Sequence, residues 1–169
     1  LGALEARGIG LGLPGLLKAS GPRPALGRRP VVRRTWAWDA ALDHARERLS
    51  VVFVSDEDLE SFADFGLLET LRARVPWVVL TEGRRGCTVF SGGQTVRAGA
   101  FPTMARDPTG AGDTFAAAFL YALASGASAS EAARLASAAA SVVVEAQGGS
   151  SLSRLGECFA RASTVTIRK

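Results

Sequence analysis

The chain has 169 residues, 47% of them hydrophobic and 21% charged, with nineteen glycines and seven prolines spread along it. This is enough for one domain with a real core, and it excludes a fibrous or wholly disordered protein. The net charge of +4 rests on eighteen arginines against two lysines; the densest run, Arg28-Arg29-Pro-Val-Val-Arg33-Arg34, lacks interleaved aromatics, so no nucleic-acid partner is expected.

In chain order, Gly8 to Leu13 predicts a short strand and Pro14 to about Arg34 a Pro/Gly/Arg-rich loop. Gly10-Leu-Gly12-Leu-Pro-Gly15 spells GxGxxG, but no full strand precedes it, and Pro14 with the loop after it spoils the βαβ context, so dinucleotide binding is not expected. Trp38 to Leu49 predicts an amphipathic helix, with Ala41, Leu42, Ala45 and Leu49 on one face. His44 falls on the charged part of that pattern. Val51-Val-Phe-Val54 and Trp77-Val-Val-Leu80 are continuous apolar runs, as in strands buried on both faces. With a helix over Leu59 to Arg74 between them they form a βαβ unit.

Cys87 to Phe90 and Thr95 to Ala98 predict a hairpin around Ser91-Gly-Gly-Gln94. Helices are predicted over Gly112 to Ala124, Ser130 to Glu145 and Arg154 to Ala162, with Gly126 as a stop and Thr164 to Ile167 as an edge strand. The fold class is α/β, a mostly parallel sheet flanked by helices. No apolar run approaches the ~20 residues of a membrane span, so no membrane partner is expected. Cys87 and Cys158 form no CxxC pair and no secretory segment opens the chain, which predicts reduced thiols in a cytoplasmic protein. Too few Cys and His residues are present for a zinc site.

The chemistry concentrates in Asp107-Pro-Thr-Gly-Ala-Gly-Asp-Thr-Phe115. The small residues Gly110, Ala111 and Gly112 let a ligand approach the main chain where a helix starts. Unpaired amides at the positive end of the helix macrodipole suit a phosphate. Asp113 in that turn has two readings: a helix N-cap, or a base that takes the proton of a hydroxyl attacking the phosphate. The segment carries no GK[ST], so this is not a P-loop.

The run Asp107 to Ala118 resembles the second signature of the ribokinase-like, or PfkB, family of carbohydrate kinases. The resemblance implies Asp113 as catalytic base, the amides of Gly110, Ala111 and Gly112 as anion hole, and Asp107 at a monovalent-cation (K+) site. Thr81-Glu-Gly83-Arg-Arg-Gly86, after a buried strand, is similar to the family's T-x-G-x-x-G nucleotide segment. The helix around Ser137, where the family commonly has Asn, and Gly148-Gly149 resemble the adenine side of the site. Ser55-Asp-Glu-Asp58 stands where N-x-x-E is usual; Asp58 would help position hydrated Mg2+, and the alternative is that these residues cap the next helix.

The resemblance thus implies a three-layer α/β/α fold and transfer of the γ-phosphate of ATP to a hydroxyl of a sugar or sugar-like molecule. It covers the nucleotide-binding and catalytic half. The sugar-binding residues and β-lid of the N-terminal half are not recognisable, and Leu1 in place of Met agrees with a C-terminal portion read as one domain over 1–169. The alternative is a truncated nucleotide-binding module without turnover. An exposed sheet edge in such a portion would favour self-association.

Overall fold

The computed structural model describes residues 9–12, 18–20, 31–33, 43, 46–59 and 62–168. Its main sheet is built from β1 (Ile9–Gly12), β4 (Leu49–Ser55), β5 (Trp77–Thr81), β6 (Cys87–Ser91), β7 (Gln94–Ala98) and β8 (Ile167–Arg168). These six strands lie side by side in the order β1-β4-β5-β6-β7-β8. β1, β4 and β5 are parallel; β6, β7 and β8 continue antiparallel, so the sheet is mixed. Two further short strands, β2 (Lys18–Ser20) and β3 (Val31–Arg33), pair antiparallel with each other. The βαβ unit is β4, helix α1 (Phe62–Arg74) and β5.

Alternation along β4 explains its unbroken apolar run. Val52 and Val54 pack with Leu67, Leu68 and Leu71 of α1 on one face. Val51 and Phe53 face the opposite side, covered by α2 (Ala111–Ala124) and α3 (Ala129–Val143). Helices on both faces of a sheet make the three-layer architecture. β4 carries one extra residue against β1, since Ile9 pairs with Leu49 but Gly10 with Val51. That irregularity turns Leu49 toward the α1 face, where it is buried.

The turns are written in local chemistry. Gly92 and Gly93 have φ of 55° and 77°, the left-handed pair that a tight two-residue hairpin loop requires. α3 opens on a capping box: the Ser128 hydroxyl accepts from the Glu131 amide at 3.3 Å, and Glu131 Oε2 accepts from the Ser128 amide at 2.8 Å. Gly10 and Gly12 belong to β1, whereas Gly15, the last letter of the GxGxxG match, lies outside the described residues. A Cβ on Gly10 would meet Leu120 Cδ1 of α2 at 2.7 Å, so that glycine serves close helix–strand packing.

Four expectations of element bounds change. The edge strand expected over Thr164 to Ile167 is Ile167–Arg168, after a turn at Ser163 and Thr164. The loop expected from Pro14 to about Arg34 contains β2 and β3. The helix predicted over Trp38 to Leu49 stops short: Asp43 is helical, Arg46–Arg48 form a turn and Leu49 begins β4. The helix predicted from Arg154 is a 3-10 run over Gly148–Glu157, with the short α4 (Cys158–Ala162) after it. Arg28, Arg29, Arg34, Trp38 and His44 lie outside the described residues. Among those described, no helix is long and apolar enough to cross a membrane, and Cys87 and Cys158 are free, buried thiols.

Candidate active site

Phe53 on β4 sets the direction of α2. Phe119 stands 5.7 Å from Phe53 and 6.3 Å from Trp77 at the start of β5, whereas Phe115 lies 6.4 Å from Phe53. One turn from Phe115 to Phe119 therefore moves toward the amino ends of the strands. The start of α2 points to the carboxyl edge of β4 and β5, where Ser55 and Thr81 are register partners. Ligand sites of α/β sheets form at that edge.

Gly110 occupies the N-cap position of α2 with φ 80°, a left-handed conformation suited to glycine. Asp113 is therefore not the cap; it lies in the first turn, exposed, its carboxylate accepting no hydrogen bond among the described residues. The Ala111 amide donates to Pro108 O at 3.1 Å, which removes it from the expected anion hole. The amides of Gly110, Gly112 and Asp113 have no acceptor among the described residues and form the open donor set.

Asp107 ties this turn to the segment after α3. Its Oδ1 accepts from the Thr109 amide at 2.9 Å and its Oδ2 from the Gly148 amide at 3.0 Å. These donors, Gly148 first, hold its carboxyl below the usual range. The Arg106 and Asp107 amides both donate to Val144 O, at 2.7 and 3.2 Å.

Thr81 donates its hydroxyl to Val54 O at 3.2 Å, bracing the two strand ends. Gly83 opens an exposed 3-10 turn with φ 53°. Gly86, at φ 102°, is required by its surroundings, since a Cβ there would lie 2.0 Å from Ala98 O. Arg85 of this turn pairs with Asp56, joining it to the turn after β4. In that turn Ser55 caps, accepting from the Glu57 amide at 3.3 Å, and Asp58 is buried.

Ser137 departs from expectation. It is 6% exposed, on the core side of α3 beside the buried Cys87 thiol, without a hydrogen bond of acceptable geometry. It is a packing residue in this conformation, and burial pushes Cys87 up to about 12. Among the described residues no three His, Cys, Asp or Glu side chains converge to cage a metal.

Sequence reasoning missed a second layer. Arg161 of α4 grips Glu145 through two bonds of 2.7 and 3.1 Å, and Thr103 donates to Glu145 Oε1 at 2.5 Å. Arg154 and Glu157 extend the network. No local spacing announces a pair sixteen residues apart on different elements.

The model of the pfkB carbohydrate kinase family matches residues 25–154. The chain belongs to this family. Ribokinase of Bacillus subtilis (strain 168) is 35% identical to the pfkB-family chain over 134 residues, 76% of this chain and 41% of the relative. Inositol 3-kinase of Oryza sativa subsp. japonica is 41% identical over 95 residues, 56% of this chain and 23% of that one. Among solved structures, ribokinase of Arabidopsis thaliana complexed with ribose and ATP matches with a TM-score of 0.53 at 28% identity, over 64% of this chain and 41% of that one. The pfkB-family chain thus spans less than half the length of each of these relatives.

Proposed function

We propose that this chain carries the phosphoryl-transfer site of an ATP-dependent carbohydrate kinase, which moves the γ-phosphate of ATP to a hydroxyl of a sugar or sugar-like alcohol. The observation that carries the reading is Asp113: an exposed carboxylate without a capping bond, in the same turn as the open amides of Gly110, Gly112 and Asp113. Asp113 takes the hydroxyl proton as the oxygen bonds to the γ-phosphorus and the bond to the β–γ bridging oxygen breaks, releasing ADP. The open amides stabilise charge on the transferring group. The exposed turn at Gly83 offers the nucleotide an accessible main chain beside Thr81 and Gly86. The ATP in the Arabidopsis ribokinase complex supports the choice of nucleotide.

Mg2+ fits as an ion carried on the phosphates, because it needs only one or two carboxylates and keeps its waters. Asp58, being buried, is poorly placed for it, and Ser137 is not assigned to the nucleotide. Asp107 keeps lone pairs beyond the amides it accepts, so it is the carboxylate assigned to a cation, Mg2+ on the phosphates or K+ beside them. When bound, Mg2+ neutralises charge on the β- and γ-phosphate oxygens.

The test is transfer of label from γ-labelled ATP to a panel of sugars, nucleosides and inositol, run beside ATP binding. Asp113→Asn is expected to lose transfer by about 10²- to 10⁴-fold with ATP binding kept. Full transfer by that variant would remove the base assignment. ATP binding without transfer by the unsubstituted chain would favour a nucleotide-binding module without turnover.

A further inference from the structure

The segment from Phe101 to Gly110 leads into the candidate site without helix or strand of its own. Its path is therefore fixed by bonds to other elements. Most of these land on one short stretch just after α3, Val144 to Gly148. Thr103 donates to Glu145, the amides of Arg106 and Asp107 donate to Val144 O, and Asp107 accepts from Gly148. Phe101 lies under the Arg161 guanidinium, 4.9 Å from ring centroid to charge. Arg161 thus touches both this segment and Glu145, the residue that anchors it.

We propose that the Glu145–Arg161 pair is a positioning device: it fixes segment 101–110, and through it the open amides at the start of α2. The proposal rests on the kinase reading above for its effect on catalysis, but not for its effect on the segment. Two features separate this pair from ordinary surface ion pairs. The side chains of Arg161 and Glu145 are 13% and 20% exposed, so solvent screens them weakly. The guanidinium also engages both carboxylate oxygens, which fixes orientation as well as distance. Thr103 then reads that orientation, because its hydroxyl donates to Oε1, the oxygen that Arg161 Nη1 also holds.

Asp113 itself rides on α2, which Phe115 and Phe119 anchor to the sheet independently. Loosening the pair should therefore disturb the phosphate-facing amides and Asp107 more than the base. The expected signature is a raised KM for ATP with a smaller change in kcat.

Thr103→Val keeps the shape and cuts the link to Glu145; Thr103→Ser restores the hydroxyl; Arg161→Lys keeps the charge and loses the two-pronged grip. Amide hydrogen exchange is measured over residues 101–112, with the amides of β4 and β5 as an internal control for folding. Thr103→Val is expected to speed exchange in the segment about tenfold, Thr103→Ser to return it, and the KM for ATP to rise by a similar factor in Thr103→Val. If Arg161→Lys also loses protection in the sheet, Thr103→Val alone decides. Unchanged exchange over 101–112 in Thr103→Val would overturn the proposal, as would a kcat loss without a KM change. Faster exchange in a chain that neither binds nor uses ATP would retain the positioning role and remove the kinase reading instead.

Discussion

The Gly148 amide donates to Asp107 Oδ2 at 3.0 Å, so the residue that opens the signature segment is fastened to the turn beyond α3, forty-one positions later. The same carboxylate also accepts from Thr109. Asp107 is thus a clamp in the folded protein, whatever else binds to it.

A clamp made by amide donors requires the ionised carboxylate, and the donors lower its pKa from the ordinary 3.8. The clamp is complete above that ordinary value and is lost as pH falls through the lowered one. The Gly148 amide proton shift, tracked by NMR, should therefore titrate with a midpoint below 3.8. A midpoint at or above it would contradict the bond.

Glu145 gives a second pH signature. Arg161 first, then Thr103, lower its carboxyl from 4.5 to about 2. The stabilisation is fully present above 4.5 and disappears as pH falls toward 2. Glu145→Gln should be less stable than the unsubstituted chain at neutral pH, and the gap should close across that acid window in urea unfolding. A gap that stays constant from neutral pH down to about 2 would count against the pair.

Gly86→Ala should destabilise the fold by at least about 2 kcal/mol, because the left-handed backbone and the approach to Ala98 both oppose a side chain. Chemical denaturation measures this directly. An unchanged midpoint would mean that the backbone at Ala98 to Ala100 moves aside without cost.

Phe119 is fully buried and touches three other rings. Phe119→Ala should cost about 3–5 kcal/mol through lost burial and the cavity left behind. Phe119→Leu should cost about 1–2 kcal/mol, chiefly the ring contacts. Equal losses in the two variants would show that ring geometry, not volume, dominates.

Burial on two faces made β4 and β5 legible, since it writes an unbroken apolar run in Val51–Val54 and Trp77–Leu80. The hairpin was legible because Gly92-Gly93 has few other uses. Leu49 reads from sequence as helix although it begins β4, because an apolar residue fits the end of an amphipathic helix and the start of a strand equally well; the strand irregularity that buries it has no sequence signature. Lys18–Ser20 and Val31–Arg33 are too short, and too close to proline and glycine, to stand out as strands. Within the candidate site, the motif brought out Asp107 and the Gly110–Asp113 turn. It did not separate the Ala111 amide, engaged by Pro108, from its open neighbours. Ser137 sits in an unbroken run of small residues, Ala136 to Ser141, which conceals its buried face. Glu145, Arg161 and Thr103 are joined only by the fold.

The rings of Phe115 and Phe119 are nearly parallel to each other, and both stand edge-on to Phe53. Interlocked rings of this kind have no shallow path for sliding along the helix axis; α2 stays in register or shifts by a discrete step. The height of the Gly110 turn above the sheet is therefore set before any ligand arrives. A part that closed over the Gly110 turn would have to move toward α2, as a hand closes on a fixed handle.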